Sequence, residues 1–280
     1  MGGNLTGRFW WREKIFKDFG HSYLAELVFE EKALQKIQIF KNHSWGYFLV
    51  LDGIVQFTER DEYIYHETIT FLPSSLLSHP PEEVLIIGGG DGGVLRELQK
   101  IPEIKRIDQY EIDSLVFELC QKYFLKISGN YEDQRVNFII KDGLQGLKES
   151  PSQFYDLIII DCTDPVGPAK TLYTLDFYRE AKRALKPEGV FIQQASLPSY
   201  FPYVLEGAYP VIKEVFPYVK IARAYVPCYG EEIAFLVATL EEKNWFSPKL
   251  EFWGRYYHPQ LNPYYFSIPA TWLNLLKNCK

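Results

Sequence analysis

Asp91 lies inside the glycine-rich stretch VLIIGGGDGG, residues 84–93, directly after an apolar run. A turn of this kind, passing from a strand into a helix, ordinarily cradles an anion, because its backbone N–H groups and the helix N-terminus carry partial positive charge. A carboxylate standing where a phosphate would sit reverses that preference, so the pocket is expected to select a cation. More acids stand at the ends of the next apolar runs: Glu111 and Asp113 in YEID, Asp142 in KDG, Asp161 and Asp164 in DCTDPVGPA. Acids scattered over a surface mean little. Acids at successive strand ends of one sheet converge on one crevice and are candidates for chemistry.

Each position has a specific use. Glu111 lies 20 residues beyond Asp91, the spacing at which an acid commonly accepts hydrogen bonds from ribose hydroxyls; the alternative is a cap on the following helix. Asp142 could accept from an exocyclic adenine N–H, or be a turn residue beside Gly143. Together they fit an adenosine without a pyrophosphate. Asp91 would repel a phosphate, and equally the carboxylate of the amino-acid tail of S-adenosylmethionine. It would attract an adenosyl sulfonium whose tail ends in an ammonium alone, as decarboxylated S-adenosylmethionine does. Asp161 and Asp164 form a second acidic pair. Two buried carboxylates raise one another's pKa unless cations enter, and a diamine would supply them. A turn accounts for Asp164, which precedes proline, but not for Asp161, which ends the apolar run LIII.

The elements that must hold these groups follow from the patterning. LAELVFEE, KIQIFKN and YFLVLDG read as short strands between turn-like residues, giving a small N-terminal antiparallel β domain over residues 1–60. Residues 61–72 read as a helix opened by Asp61 and Glu62 and stopped by Pro73. Strands and helices then alternate, with the helix after residue 202 interrupted at Pro210. That alternation implies an α/β, doubly wound, Rossmann-like sheet over residues 61–280.

Composition sets the class. Hydrophobic residues make up 47% and charged residues 24%, ordinary for a globular domain. The net charge of −6 and the scatter of basic residues argue against nucleic acid. Four cysteines show no CxxC spacing and five histidines form no ligand cluster along the chain, so neither a disulfide framework nor a metal site is expected. No apolar run is long enough to span a membrane and no signal-peptide core stands at the start, so a cytoplasmic protein is expected. Residues 1–6 fit the loose myristoylation pattern, which so short a motif meets by chance.

From about Gln35 to the terminal YYHPQLNPYYFSIP the sequence resembles the spermidine synthase family of polyamine aminopropyltransferases. LDGIVQFTERDEYIYHE, VLIIGGGDGGVLREL, YEID, DCTDPVGPA and the glutamine of FIQQ follow the family pattern in the same order. The resemblance implies a methyltransferase-type sheet and transfer of the aminopropyl group of decarboxylated S-adenosylmethionine to a polyamine, putrescine giving spermidine, with 5′-methylthioadenosine released. It implies that Gln35, Gln56, His66, Glu111 and Asp142 line the donor's nucleoside and sulfur, and that Asp91 and Asp161 hold the aminopropyl ammonium. Tyr65 and Asp161 would flank the attacking nitrogen, with Asp161 as general base, and Asp164, Gln194 and Tyr229 would line the acceptor channel. Residues 163–174 look like the family's gatekeeping loop. The leaving group is an activated sulfonium, so no cofactor or metal is expected. A homodimer or homotetramer is.

Two departures bear on the acceptor. PCYGEEIAF, residues 227–235, is shorter than the family's segment and brings in Glu231 and Glu232; negative potential there would favour an acceptor longer than putrescine, such as agmatine, cadaverine or a triamine, unless the loop is merely solvated. A tryptophan common in the family gives way to Leu197-Pro198-Ser199-Tyr200. An S-adenosylmethionine-dependent methyltransferase and a non-catalytic polyamine-binding protein are the rival readings. Asp91 opposes the first, and retention of Tyr65, Asp91, Asp161 and Asp164 the second.

Overall fold

A computed structural model describes residues 7–277; the myristoylation-like residues 1–6 and Cys279 lie outside them. Five strands form an antiparallel sheet in chain order: β1 (Phe9–Arg12), β2 (Ser22–Lys32), β3 (Lys36–Asn42), β4 (Gly46–Leu51) and β5 (Ile54–Thr58). Asp52 and Gly53, both at positive φ, make the two-residue turn between β4 and β5, the type whose twist matches that of a hairpin. Strands β3 to β5 are covered on both faces. Ile37, Ile39, Leu49, Leu51 and Phe57 pack on Val116, Leu119 and Cys120 of α3 (Ser114–Tyr123). Phe40, Phe48, Val50 and Val55 point the other way, into the main core.

The second sheet contains β6 (Glu83–Gly88), β7 (Arg106–Glu111), β8 (Val136–Ile140), β9 (Tyr155–Asp161), β10 (Leu185–Gln194), β11 (Tyr218–Val226) and β12 (Glu231–Thr239). Its order is β11-β12-β10-β9-β6-β7-β8. The five strands from β10 to β8 are parallel, and β12 runs antiparallel to both its neighbours. The apolar run of β9 serves both faces: Leu157 and Ile159 enter one core, Ile158 and Ile160 the other, which is why this strand shows no polar alternation. Helices α1 (Glu62–Ser75), α2 (Gly93–Gln99), α4 (Gly143–Glu149), α5 (Leu175–Ala184) and α6 (Pro202–Lys213) accompany the strands, and α7 (Asn262–Tyr265) and α8 (Ala270–Lys277) follow.

The strand order reverses between β6 and β9, and ligands of such sheets bind beyond the carboxyl ends at that reversal. Two proline expectations fail there and nearby. Helix α1 runs past Pro73 to Ser75, and α6 contains Pro210 without a break. In α1 the final turn tightens, Leu76 N–H donating to Pro73 O at 3.1 Å. The Ser74 hydroxyl bonds back to Thr70 O and that of Ser75 to Leu72 O, at 2.6 and 2.7 Å. With Ile69 and Leu72 fully buried, packing outweighs the lost backbone bond. Asp61 precedes α1 as expected, but its carboxylate does not cap it. It accepts from Thr58 Oγ1 at 2.6 Å and from Cys228 N–H at 2.7 Å, tying the first sheet to the β11–β12 turn.

Candidate functional site

A cavity of about 540 Å³ opens at the carboxyl ends of β6 to β10, beneath the edge of the first sheet. All 11 residues expected in the site line it: Gln35 from the bend between β2 and β3, Gln56 from β5, Tyr65 and His66 from α1, Asp91, Glu111, Asp142 and Asp161 from the four strand ends, and Asp164, Gln194 and Tyr229 at the far side. The acids do converge.

Gly88 explains part of this convergence. It is the register partner of Asp161, and with φ +84° a side chain there would be strained and its Cβ would lie 2.0 Å from the Asp161 carbonyl oxygen. A glycine lets the turn cross the end of β9 closely, with Gly89 N–H on Asp161 O at 2.8 Å.

At this crossing the contacts of each acid fall on its Oδ1. Asp161 Oδ1 accepts from the Tyr65 hydroxyl at 2.6 Å, while Asp161 Oδ2 is buried with no hydrogen-bond partner among the described residues. Asp91 Oδ1 accepts from Gly93 N–H at 2.6 Å and lies 3.2 Å from His66 Nε2. His66 Nδ1 lies 2.6 Å from Glu62 Oε2, and Arg96 forks onto both Glu62 oxygens at 2.9 Å. Burial works against charge on His66, but Asp91 and Glu62 outweigh it and lift its pKa to about 10. Burial pushes the Asp91 carboxyl up, yet the His66 charge holds it below the usual range. Asp161 has no such compensation: burial and then the Asp91 charge raise it to about 7, against smaller opposing effects of His66 and Tyr65. Asp91 is thus already partnered by a protein cation, and the open demand for positive charge falls on Asp161.

One ligand atom each from His66, Asp91 and Asp161 lies within 4.8 Å of the others, which sets His66 beside the two converging acids. A metal ion would need a lone pair on His66. Both its nitrogens face carboxylates, as an imidazolium donating twice would. An ammonium hydrogen bonded to two carboxylates at ordinary lengths and a tetrahedral angle sets their oxygens roughly 4.6 Å apart, within the 4.8 Å that bounds this cluster.

At the nucleoside end, Glu111 Oε1 accepts from Asp113 N–H at 2.8 Å, and burial raises the carboxyl to about 7 against the help of the Asp113 and Ile112 amides. The cap on α3 is Asp113, accepting from Leu115 and Val116 N–H, so helix capping does not account for Glu111. Asp142 both lines the cavity and caps α4, accepting from Gln145 N–H at 2.9 Å. Gln35 Nε2 reaches Asp113 Oδ2 at 3.4 Å.

At the other end, burial raises the Asp164 carboxyl; its Oδ2 accepts from Ser196 Oγ at 2.7 Å. Gln194 Nε2 donates to Cys162 O at 2.7 Å and lies 3.5 Å from Asp164 Oδ1. The Tyr229 hydroxyl donates to Gln56 O at 2.5 Å. The 163–174 segment winds into a short 3₁₀ helix, Gly167–Tyr173, whose residues wall the cavity. Glu231 and Glu232 do not reach the acceptor path directly. Both stand on β12, opposite Val226 and Tyr225. Glu231 accepts from Ser199 Oγ at 2.9 Å, Glu232 is paired with Arg223, and neither lines the cavity. Sequence reasoning missed Ser196, Glu62 and Arg96. Ser196 sits at φ +64°, which no local motif announces. Glu62 had a signal, since it stands one helical turn before His66.

Known proteins place this arrangement. The family model for the spermine/spermidine synthase domain matches residues 62–249, and that for the spermidine synthase tetramerisation domain matches residues 9–59. A polyamine aminopropyltransferase of Bacillus mycoides is 39% identical over 79% of this chain and 80% of its own, and one of Thermoplasma volcanium is 35% identical over 93% and 95%. The crystal structure of spermidine synthase from Thermotoga maritima superposes with a TM-score of 0.88 at 30% identity, covering 96% of this chain and 94% of that one. A spermidine synthase in complex with the transition state analogue AdoDATO gives 0.89 at 30% identity, covering 96% and 95%. With a family match spanning the strand-end acids and relatives matching nearly end to end, the chain belongs to the spermine/spermidine synthase family.

Proposed function

We propose that the protein transfers the aminopropyl group of decarboxylated S-adenosylmethionine to a polyamine acceptor, putrescine giving spermidine, and releases 5′-methylthioadenosine. The observation that carries this reading is the pair of acids whose contacts fall on Oδ1. Asp161 Oδ2 is buried without a partner, and both hydrogen-bonding contacts of the Asp91 carboxylate fall on Oδ1. An ammonium between the open oxygens meets the need. A carboxylate there, as in S-adenosylmethionine itself, would be repelled.

The reaction is an in-line displacement. The acceptor nitrogen attacks the methylene beside the sulfonium, the C–S bond breaks with its electron pair going to sulfur, and the nitrogen sheds one proton. Asp161 receives that proton. Its carboxyl, held near 7 by burial and by Asp91, is poised for exchange at neutral pH, where a general base is worth about 10²–10⁴ in rate. Tyr65 fixes its orientation through Oδ1. Asp164, held by Ser196, anchors the acceptor's distal ammonium, and Gln194 and Tyr229 wall its path. Glu111 and Asp142 take the ribose hydroxyls and the adenine amine. Holding nitrogen and methylene in line supplies up to roughly 7–11 kcal/mol more. Methylthioadenosine leaves as a neutral thioether without assistance, so the scheme asks for no metal or cofactor.

The same reading carries a homotetramer built through the first sheet. In support, the tetramerisation model covers that sheet, and Trp10 and Leu24, paired across β1 and β2, are 71% and 43% exposed. It also carries a cytoplasmic enzyme, with which the free thiols of Cys120, Cys162 and Cys228 accord. No helix among the described residues is long and apolar enough to cross a membrane.

The test is an acceptor panel of putrescine, agmatine, cadaverine and spermidine, each with decarboxylated or intact S-adenosylmethionine, read by product mass. Methylthioadenosine and spermidine from the decarboxylated donor support the reading. Methylated amine from the intact donor would replace it with a methyltransferase, and polyamine binding without turnover with a binding protein.

A further inference from the structure

Behind the donor acid stands a row of groups whose charges alternate: Arg96, Glu62, His66, Asp91. Glu62 is 7% exposed and His66 1%. Arg96 cannot swing away, since NH1 also donates to Ile127 O at 3.1 Å and Nε to Glu97 Oε1 at 2.8 Å. The His66 ring is seated on the start of α2, where a Cβ at Gly93 would lie 2.3 Å from Nδ1. A cation in that place is disfavoured by the helix dipole and by burial; carboxylates on both its nitrogens reverse the preference.

We propose that Glu62 and Arg96 are positioning residues for the donor's ammonium: they hold His66 as an imidazolium aimed at Asp91 Oδ1, so that Asp91 offers only Oδ2 to the ligand. This rests on the aminopropyl-donor reading of the site. Without Glu62 charged and fixed, His66 would keep one carboxylate instead of two and lose its proton more readily. A neutral imidazole could turn its lone pair toward Asp91, and the acid would drift from the orientation that faces Asp161. The effect falls on binding of the donor tail, not on the proton transfer at Asp161.

The groups facing His66 are few. Glu62 and Tyr65 lie on its own helix, Asp91 and Arg96 on the turn and α2, and Asp161 on β9. The Phe57 ring comes from β5, and Cys120 and Tyr131, both kept neutral by burial, lie toward Asp91. Of these, Asp161 alone titrates near neutrality, and Tyr65 holds its proton well above.

The test combines two readouts. In the ligand-free protein, ¹⁵N NMR of the five histidines should show one ring, absent in H66N, with both nitrogens protonated at about pH 8, where a free imidazole is neutral. In E62Q that ring should titrate at lower pH. In kinetics, E62Q should raise the donor KM about tenfold, or 1.4 kcal/mol, leave kcat nearly unchanged, and give a donor KM that climbs with pH above the Asp161 titration near 7, where the wild type is flat. R96K, which keeps the charge but loses the fork, should fall between. A neutral His66 in the wild type at that pH overturns the proposal even if E62Q fails to fold, as does an E62Q donor KM with the wild-type pH profile. Failure of the aminopropyl reading itself shows separately, as a wild type that does not turn over the decarboxylated donor.

Discussion

Gly88 and Asp161 are register partners on β6 and β9, the two parallel strands between which the sheet order reverses. That one relationship sets the distance between the glycine turn and the fourth strand end, and so brings Asp91 and Asp161 together across a space fit for one ammonium. A β9 ending elsewhere would leave two unrelated surface acids. The turn's glycines serve close approach of one backbone to another as much as approach to a ligand.

Asp161→Asn separates proton acceptance from charge anchoring. The amide keeps the size of the acid and can still accept from Tyr65. Turnover should fall about 10²–10⁴-fold while the donor KM changes far less, measured by steady-state release of methylthioadenosine. Equal losses in both would reduce Asp161 to an anchor. In the wild type, kcat/KM should rise with pH through about 7, where the free-enzyme carboxyl ionises. The inflection in kcat should lie lower, because a bound ammonium favours the charged form.

Asp91→Asn removes the charge that opposes a carboxylate tail. Binding of decarboxylated S-adenosylmethionine should weaken, and the preference for it over S-adenosylmethionine should shrink by at least about tenfold, or 1.4 kcal/mol. Calorimetric titration with each donor reads this directly. An unaltered ratio would mean that selection against the carboxylate is steric.

Much of this site was legible along the chain because strand-end acids obey a period the sequence displays: apolar run, acid, helix. Asp91, Glu111, Asp142 and Asp161 all fall on that rule and all reach the cavity. What escaped depends on contacts between distant elements. The Glu62–Arg96 fork joins residues on two helices, and Ser196 reaches Asp164 only because β10 lies beside β9. Pro73 misled for a related reason. Local backbone chemistry ends a helix there, but α1 is buried on nearly every side, and its apolar contacts extend it two residues further. The acidity of the 231–232 pair was visible, while the partners that occupy it were not.

Neutralising that pair should therefore leave acceptor choice alone. E231Q with E232Q removes two charges that already face Ser199 and Arg223. The order of reactivity among putrescine, agmatine, cadaverine and spermidine should match the wild type. The cost should appear as lost stability of no more than about 1 kcal/mol, ordinary for a partly exposed pair. A reordered panel would show the pair acting on the channel at a distance.

The stability of the ligand-free protein should fall as pH rises from about 5 to 9. Glu111 and Asp161 keep their protons up to about 7 in the folded chain, whereas unfolded carboxyls release theirs near 4. The folded state therefore binds more protons across that interval, and its advantage, complete below the unfolded value, is lost as pH passes through 7. His66 acts with the same sign over a higher window: its folded pKa of about 10 against roughly 6.5 unfolded gives stability that fades between those values. Each proton contributes a slope of about 1.4 kcal/mol per pH unit where it differs between the states. Asp61 and Asp164, also raised by burial, add to the fall. Urea unfolding at successive pH values measures it. Asp161→Asn should remove about half of the slope that Glu111 and Asp161 create between them. Saturating donor and amine should flatten the same segment, because their ammonium groups stabilise the ionised acid that the empty site strains against. A slope that rises with pH, or one indifferent to ligand, would mean that these carboxyls are already ionised in the empty cavity, and that Asp161 is not waiting for a cation.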